Sequence, residues 1–221
     1  MKMKRLLIFL LTLMLCAPAL AEQTTTVLGH MPDGEYIHQY VAPNGQLLWF
    51  TALEEQPGIK LEDVNFDGAE DIVIHVVRGA SNFYAEFFLY DAQQDMYVLA
   101  THPSQEEGIC NYDLHPELGL VESMTNNGNA GLLHVWNLYR WEGTELKLIR
   151  SAVSDEWFED HFDGQTYTQI IHGDTLHVTV RDHTQDSYDD SVILEVIMPK
   201  EDVDIQDLYE EEMNALWQGI K

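Results

Sequence analysis

The sequence predicts a mainly β protein, a single antiparallel β-sandwich-like or barrel-like domain with a C-terminal helix. The chain has 221 residues, of which 45% are hydrophobic and 10% aromatic, which is enough to bury a substantial core. Short alternating or continuous apolar segments recur along it, separated by turn residues such as Asn-Gly. Helical spacing of apolar residues is found only at about residues 204–218.

The chain is strongly acidic. It carries 11 Lys and Arg against 38 Asp and Glu, a formal net charge of −27. Such a surface repels phosphate backbones and anionic membranes, which excludes non-specific nucleic-acid binding. Cations and basic proteins remain as partners.

Residues 1–21 are predicted to be a signal peptide, which leaves residues 22–221 as one domain. Met1–Arg5 is basic, Leu6–Leu15 is apolar, and Ala19-Leu20-Ala21 has the small-x-small form of a cleavage site. We therefore expect a periplasmic or secreted protein without a membrane span. Cys110 is then the only cysteine, so no intramolecular disulfide is expected, and we expect this thiol to be buried.

Two segments early in the domain carry the clearest strand signals. Glu35–Val41 and Gln46–Ala52 alternate and flank an Asn-Gly turn, which predicts a hairpin. Asp71–Val77 is continuously apolar except for His75, which predicts a strand buried on both faces. Further strands are predicted at Phe83–Tyr90, Met96–Ala100, Gly119–Met124, Ala130–Arg140, Leu146–Val153, Thr166–Ile171, Thr175–Arg181 and Ser191–Met198, with turns at Gly143, Gly164 and Gly173.

The segment Asp204–Gln218 predicts a helix that closes the domain. Acidic residues lie in its first turns, and Gly219 is a suitable stop. Its apolar stripe consists of Leu208, Met213, Leu216 and Trp217.

The nine residues Asp63–Asp71 are the motif with the clearest chemistry. Calcium takes roughly six to eight oxygen ligands, and alternate residues of a tight loop can turn several oxygens inward. Gly68 allows the sharp turn, which we expect a Cβ to obstruct, and a β-strand follows directly. The alternative is an acidic turn that arises from composition alone. The predicted Ca²⁺ ligands are Asp63, Asn65, Asp67, the Ala69 carbonyl and Asp71, the last directly or through water.

The loop and the strand after it resemble a known group. The pattern Asp-x-Asn-x-Asp-Gly-x-x-Asp is similar to the calcium loops of FG-GAP-type repeats. More narrowly, Asp63–Asp91 resembles exported bacterial proteins similar to the periplasmic inhibitors of invertebrate-type lysozyme. This resemblance implies a calcium-bound β-sandwich that presents a protruding loop to a partner. The corresponding residues here are Ser81, Asn82 and Tyr84, and Asn82 stands where a glycine is expected.

Other clusters give weaker signals. His172 and His177, across a turn at Gly173-Asp174, form a possible zinc pair with His183 beyond it, although no standard spacing supports it. The segment 159–164 is similar to a degenerate calcium loop and is interpreted as a turn. The aromatic residues Trp136, Tyr139 and Trp141 form either a sugar-stacking platform or, more commonly at alternating strand positions, core and rim.

Together these features favour an exported, calcium-binding, non-enzymatic binding or inhibitory module. The partner expected from the charge is a basic extracellular or periplasmic protein such as a cell-wall hydrolase. The alternatives are a secreted hydrolase with a structural calcium ion and a stand-alone calcium-stabilised domain. No pair of carboxylates is singled out for catalysis, so no catalytic residue is assigned.

Overall fold

The computed structural model describes residues 25–103, 108–162, 167–185 and 191–220. The strands in these residues form three antiparallel sheets, and a single α-helix follows near the C-terminus. This confirms the predicted β-rich class and the C-terminal helix. The described sheets are open and stack face to face, so the domain is sandwich-like. The predicted signal peptide lies outside the described residues.

The first sheet has three strands in the order β1-β2-β3. The predicted hairpin is confirmed: the Ala42 N–H donates to the Gln46 carbonyl at 2.8 Å, and Gly45 has a φ of 87° in the turn. The strands are β1 (Thr26–His30), β2 (Tyr36–Val41) and β3 (Leu47–Ala52).

The second sheet lies in the centre of the molecule. Side chains of its strand β5 alternate between two cores, with Ile72 and Ile74 on one side and Val73 on the other. The prediction of a strand buried on both faces is therefore confirmed. The order is β4-β5-β6-β7, with β8 paired to β6. The strands are β4 (Gly58–Glu62), β5 (Asp71–Arg78), β6 (Phe83–Asp91), β7 (Met96–Leu99) and β8 (Ile109–Cys110).

The third sheet has six strands and follows chain order from β9 to β14. It contains the longest of the described strands, and a turn at Gly143 joins two of its members. The strands are β9 (Asp113–His115), β10 (Leu120–Gly128), β11 (Leu133–Glu142), β12 (Glu145–Phe162), β13 (Tyr167–Asp182) and β14 (Val192–Pro199).

The prediction of two strands separated by a turn at Gly173 is wrong. The structure has one strand, β13, that pairs with β12 on both sides of this glycine. Leu176 is opposite Glu156 and His172 is opposite Trp157, so residues 173–175 form an insertion in a continuous ladder. A bulge absorbs extra residues without ending the strand, which is why a glycine and an aspartate here do not make a turn.

Two neighbouring predictions also need correction. β10 continues past its predicted end at Met124 as far as Gly128, and a short 3-10 turn at Asn129–Gly131 precedes β11, which begins at Leu133 rather than Ala130. The first residues of the degenerate calcium loop, 159–162, belong to strand β12 and not to a turn. Its last two residues, with the predicted turn at Gly164, lie outside the described residues.

The layers are held together by separate apolar cores. Tyr40 and Leu48 of the first sheet pack on Ile72 and Phe88 of the central sheet. The opposite face of the central sheet packs on the third sheet through Phe87, Val121 and other residues. The helix covers the remaining face of the third sheet. The order of layers is therefore first sheet, central sheet, third sheet, helix.

The helix, α1 (Ile205–Leu216), matches the predicted segment. The Asp204 carboxylate caps its start by accepting from the Gln206 N–H at 2.9 Å, and Gly219 beyond its end has a φ of 73°. Leu208 and Leu216 are buried against the third sheet. Among the described residues, no helix has the length and apolar character needed to cross a membrane.

Candidate functional site

The loop between β4 and β5 gathers three oxygen-bearing side chains on one tight bend. Asp63 accepts from the Asp67 N–H at 3.1 Å through Oδ1 and from the Gly68 N–H at 2.9 Å through Oδ2. Asn65 Oδ1 also accepts from the Asp67 N–H, at 3.1 Å. Since one N–H is shared by Asp63 and Asn65, their oxygens are held close together.

Asp67 completes this arrangement. Its Oδ1 accepts from the Ala69 N–H at 2.8 Å, and its Oδ2 accepts from Asn65 Nδ2 at 3.2 Å. The backbone follows a bend with positive φ at Phe66 (65°) and Gly68 (90°). A Cβ built on Gly68 would meet no atom within 4 Å. The Cβ expected to obstruct the turn would therefore do so through the positive φ alone and not through contact with neighbouring atoms.

Asp71 anchors the loop to the central sheet. It is fully buried, its Oδ2 accepts from the Val64 N–H at 3.0 Å, and its Oδ1 accepts from the Tyr90 N–H at 2.8 Å. Burial raises the pKa of Asp71 to about 6, the two backbone N–H groups oppose that rise, and the negative charge of Asp67 adds to it. Asp71 was predicted as a ligand, directly or through water, and both of its oxygens have backbone partners in the structure.

The other end of the loop is fixed by Val64. This residue is fully buried, and its carbonyl accepts from the indole Nε1 of Trp141 at 2.7 Å. Both backbone polar groups of Val64 thus have side-chain partners, one on Asp71 and one on the third sheet. The loop geometry is therefore fixed by the fold around it.

The donor chemistry of the loop fits a hard cation. Asp63, Asn65 and Asp67 offer carboxylate and amide oxygens, which calcium prefers. In the parts of the chain that the structure describes, no group of three or more His, Cys, Asp and Glu side chains is placed to hold a metal ion. A cation at this loop therefore requires Asn65, backbone carbonyls and water in addition to the two carboxylates.

The loop forms one wall of an open groove of about 940 Å³. Tyr112, which precedes β9, lies in this groove, and its hydroxyl donates to Glu62 Oε2 at 2.7 Å. Lys60 Nζ is 2.7 Å from Glu62 Oε1 and 5.8 Å from the centroid of the Tyr112 ring. Residues from β4, β5 and β9 thus meet the loop at one opening.

The pKa values of two groups in the groove, His75 and Tyr112, are shifted by burial and by their neighbours. Burial, followed by the positive charges of Arg78 and Lys60, lowers the pKa of His75. Burial and the bond to Glu62 raise the pKa of Tyr112, which therefore remains a hydroxyl donor at neutral pH. The groove accordingly offers an uncharged imidazole and a phenol beside the carboxylates of the loop.

The predicted partner loop is held to the third sheet by side-chain amides. Asn82 Nδ2 donates to the Asn126 carbonyl at 3.0 Å, and the Asn126 N–H donates back to Asn82 Oδ1 at 2.9 Å. Asn111 Nδ2 donates to the Ser81 carbonyl at 2.9 Å. Ser81 is exposed, whereas Tyr84 is half-buried and lines a smaller cavity of about 300 Å³.

Most residues of the groove carry no signal in the sequence. Lys60, Glu62, Tyr112 and Leu114 come from β4 and from the segment around β9, neither of which was predicted as a strand. Their sequence neighbourhood has no motif, and they meet only through sheet pairing and packing. The high exposure of Trp49 was also not predicted, although the alternating pattern of β3 was recognised.

The weaker candidates are dispersed. His177 Nε2 is 2.9 Å from Glu195 Oε1, and His183 Nε2 is 2.8 Å from Ser151 Oγ. Of the three aromatic residues, Tyr139 is buried, Trp141 binds the calcium-type loop, and Trp136 packs in the core beneath the helix. They form no common stacking platform.

Comparisons with known proteins do not place the chain in a family. No family model matches it, and no curated protein matches it. A solved structure described as a Xanthomonas type IV secretion system related protein is similar at 16% identity and a TM-score of 0.42, over 79% of this chain and 85% of that one. A likeness of this degree carries no argument about function.

Proposed function

We propose that the protein is an exported, calcium-stabilised β module that binds a partner and catalyses no reaction. Asp63, Asn65 and Asp67 would hold the ion through side-chain oxygens, with the Ala69 carbonyl and Asp71 as the further ligands expected from the sequence. The export part of the proposal relies on the leader pattern of residues 1–21.

The single observation that supports calcium binding best is the N–H of Asp67, which is shared by Asp63 and Asn65. Two oxygens from different side chains are thereby gathered on one bend, with the Asp67 carboxylate beside them. Clustered carboxylates repel one another, and a divalent cation relieves that repulsion. The irregular placement of these oxygens on one bend favours calcium over magnesium, because calcium tolerates irregular geometry whereas magnesium demands a near-ideal octahedron.

The role of the ion in this proposal is mechanical. It would neutralise the exposed end of the loop, while the buried end is already held by Asp71 and Trp141. The groove beside the loop would then keep one shape. The amide contacts of Asn82 and Asn111 support the same interpretation for the Ser81–Tyr84 loop, because they hold it rigid for a partner.

Thermal unfolding tests calcium binding. A ligand at a hundredfold excess over its dissociation constant stabilises a protein by about 2.7 kcal/mol, which corresponds to a rise in Tm of about 5–10 °C. We expect calcium to raise the Tm of the wild type but not of Asp67→Ala. Asp204→Ala is the matched control, because Asp204 also accepts two backbone N–H groups, at 2.9 and 3.4 Å, and lies at the start of the helix, on the far side of the third sheet from this loop. Equal responses in all three proteins would reject the site.

The proposed partner is a basic extracellular or periplasmic protein, such as a cell-wall hydrolase. The net charge of −27 supports this choice, since opposite fields speed association and exclude other acidic proteins. A basic hydrolase should bind in a salt-sensitive manner, measured by surface plasmon resonance. Turnover of a glycan or peptide substrate by the isolated protein, lost on a single carboxylate substitution, would instead support the hydrolase alternative.

A further inference from the structure

A second opening lies on the other side of the central sheet from the calcium-type loop. It is a slot of about 180 Å³ between β3 of the first sheet and β6 and β7 of the central sheet. Pockets for drug-sized ligands measure roughly 300–1,000 Å³, so this one is sized for a single side chain. Apolar groups dominate its walls. The lining includes Trp49, Phe50, Phe88 and Leu99 together with the two acids Glu35 and Glu86.

The two acids make this slot different from an ordinary gap between sheets. Glu86 is on β6 beside Phe87 and Phe88, and its side chain is 22% exposed. Its Oε1 lies 3.4 Å from His102 Nε2, a long contact. None of the described lining residues is basic. A half-buried carboxylate among apolar groups is stabilised by a cation, and His102 supplies only this one long contact, to one of the two carboxylate oxygens.

An apolar shelf adjoins the slot. Trp49 is 66% exposed, Leu47 is 54% exposed and Leu99 is 50% exposed. On the outer face of the first sheet, Leu47 is paired with Val41, which is 59% exposed. Large exposed side chains grouped in this way are typical of a surface that another molecule covers.

The net charge of the protein indicates which kind of partner can cover this shelf. A second copy of the chain would bring another net charge of −27 to the contact, and an acidic peptide would add to the charge of Glu35 and Glu86. A basic segment meets both features, because its charged group pairs with the carboxylates and its apolar residues lie on the shelf. An arginine suits this position best, since a guanidinium binds carboxylates and also stacks on an indole ring.

We infer that the slot between Trp49 and Glu86 binds an arginine side chain of a basic, amphipathic partner segment. The methylene stem of the arginine lies against Phe50, Phe88 and Leu99, and its guanidinium meets Glu86. The slot would be a docking surface of the proposed binding module, and its docking role rests on that proposed function. It does not require the calcium loop, which faces the other core.

The probe is a short fluorescein-labelled peptide of alternating leucine and arginine, compared with the same peptide carrying citrulline for arginine. Citrulline keeps the shape and removes the charge. Fluorescence anisotropy is measured at low and physiological salt, in calcium and in chelator. We expect the arginine peptide to bind about tenfold more tightly than the citrulline peptide, the size of one charge-assisted contact.

Matched variants locate the contact. Glu86→Gln and Glu201→Gln remove the same charge, but Glu201 is exposed and is not among the lining residues of the slot. We expect about tenfold weaker binding only for the first. Trp49→Ser should weaken binding, whereas Ile197→Ser, at a strand residue 49% exposed in the third sheet, should not. Glu35→Gln repeats the charge test if Glu86→Gln fails to fold.

Several outcomes would overturn the inference. Equal losses in Glu86→Gln and Glu201→Gln would mean that only the overall field attracts the peptide. Equal losses of peptide affinity in Trp49→Ser and Ile197→Ser, or no peptide binding at all, would show that this surface is not a docking site. Dimers that dissociate on Trp49→Ser would make a second copy the occupant. Peptide binding that persists while calcium fails to raise the Tm would leave the slot in place and reject the calcium part of the proposed function.

Discussion

At the scale of single residues, His38 shows how burial controls the charge of a side chain. It lies on β2, is fully buried, and donates from Nε2 to the Glu54 carbonyl at 3.0 Å. In the described residues its Nδ1 is buried without a hydrogen-bond partner. Protonation would place a second N–H at that position, so burial lowers the pKa of His38 below 6.5.

This lowered pKa predicts sensitivity to acid. The unfolded chain takes up a proton on His38 as the pH falls through about 6.5, and the folded chain does so only at lower pH, so the free energy of unfolding decreases over that interval. Gln at this position keeps a donor near Nε2 and cannot be protonated. We expect His38→Gln to lose about 1 kcal/mol less stability than the wild type between pH 7.5 and 5.5. Urea unfolding at each pH measures this.

The control is His30→Gln, because His30 is exposed. We expect its pH dependence to follow that of the wild type. Parallel pH profiles for His38→Gln and the wild type would show that His38 does not contribute to acid sensitivity.

Gly68 provides a second test at this scale. Its φ of 90° disfavours any residue with a Cβ, although the space around it is open. We expect Gly68→Ala to destabilise the protein by about 1–2 kcal/mol and to weaken calcium binding, both through backbone strain. Gly29→Ala is the control, because a Cβ there also meets no atom within 4 Å and its φ is not positive. Equal unfolding free energies for the two variants would contradict the strain argument.

At the scale of elements, the contact between α1 and the third sheet contains a buried polar pair. His134 on β11 and Glu212 on α1 are both fully buried, and Nε2 of the histidine is 2.6 Å from Oε2 of the glutamate. Nδ1 of His134 donates to the Gly131 carbonyl at 2.9 Å. The hydroxyl of Tyr209 donates to the same carbonyl at 2.8 Å. The pair therefore fixes the position of the helix on the sheet.

Replacing one partner of this pair should lower the free energy of unfolding. His134→Phe leaves a buried carboxylate without its partner, and we expect a loss of about 3 kcal/mol in the free energy of unfolding. The double variant His134→Phe with Glu212→Leu removes both polar groups, and we expect it to recover most of that loss. Urea unfolding of both variants measures the difference. A single variant within about 1 kcal/mol of the wild type would contradict the anchoring role of the pair.

Elements with one dominant local signal could be predicted from the sequence. The Asn-Gly hairpin, the apolar strand β5 and the capped helix each follow from residues close together in the chain. The long pairing of β12 with β13 could not be predicted. Gly173 and Asp174 lie in a bulge, and the sequence of such a bulge resembles that of a turn unless the opposite strand is known. Glu212 could not be recognised as buried, since His134 lies 78 residues away.

The candidate site was likewise predictable only where its residues lie close together in the sequence. Asp63, Asn65 and Asp67 were identified because their chemistry lies within one short motif, and the structure brings them together. Tyr112, Lys60 and Glu62 were not identified, because they meet only after the central sheet and the third sheet pack against each other. Asp71 belongs to both groups: its position in the motif was evident, but its bond to Tyr90 depends on the pairing of β5 with β6.

At the scale of the whole molecule, the order of layers separates two surfaces. The calcium-type loop and its groove adjoin the core between the central and third sheets, and the arginine slot adjoins the core between the first and central sheets. The central sheet is shared by both cores, so it provides a rigid support for each opening. The acidic surface common to both favours cations and basic proteins.

The central claim is that the Asp63–Asp71 loop binds calcium, and equilibrium dialysis with labelled Ca²⁺ tests it most directly. The wild type and Asp204→Ala should each retain one ion per chain in the presence of excess Mg²⁺, whereas Asp63→Ala and Asp67→Ala should retain none. If all four proteins retained the same amount of calcium, or if the wild type retained none, the account of this loop would be contradicted.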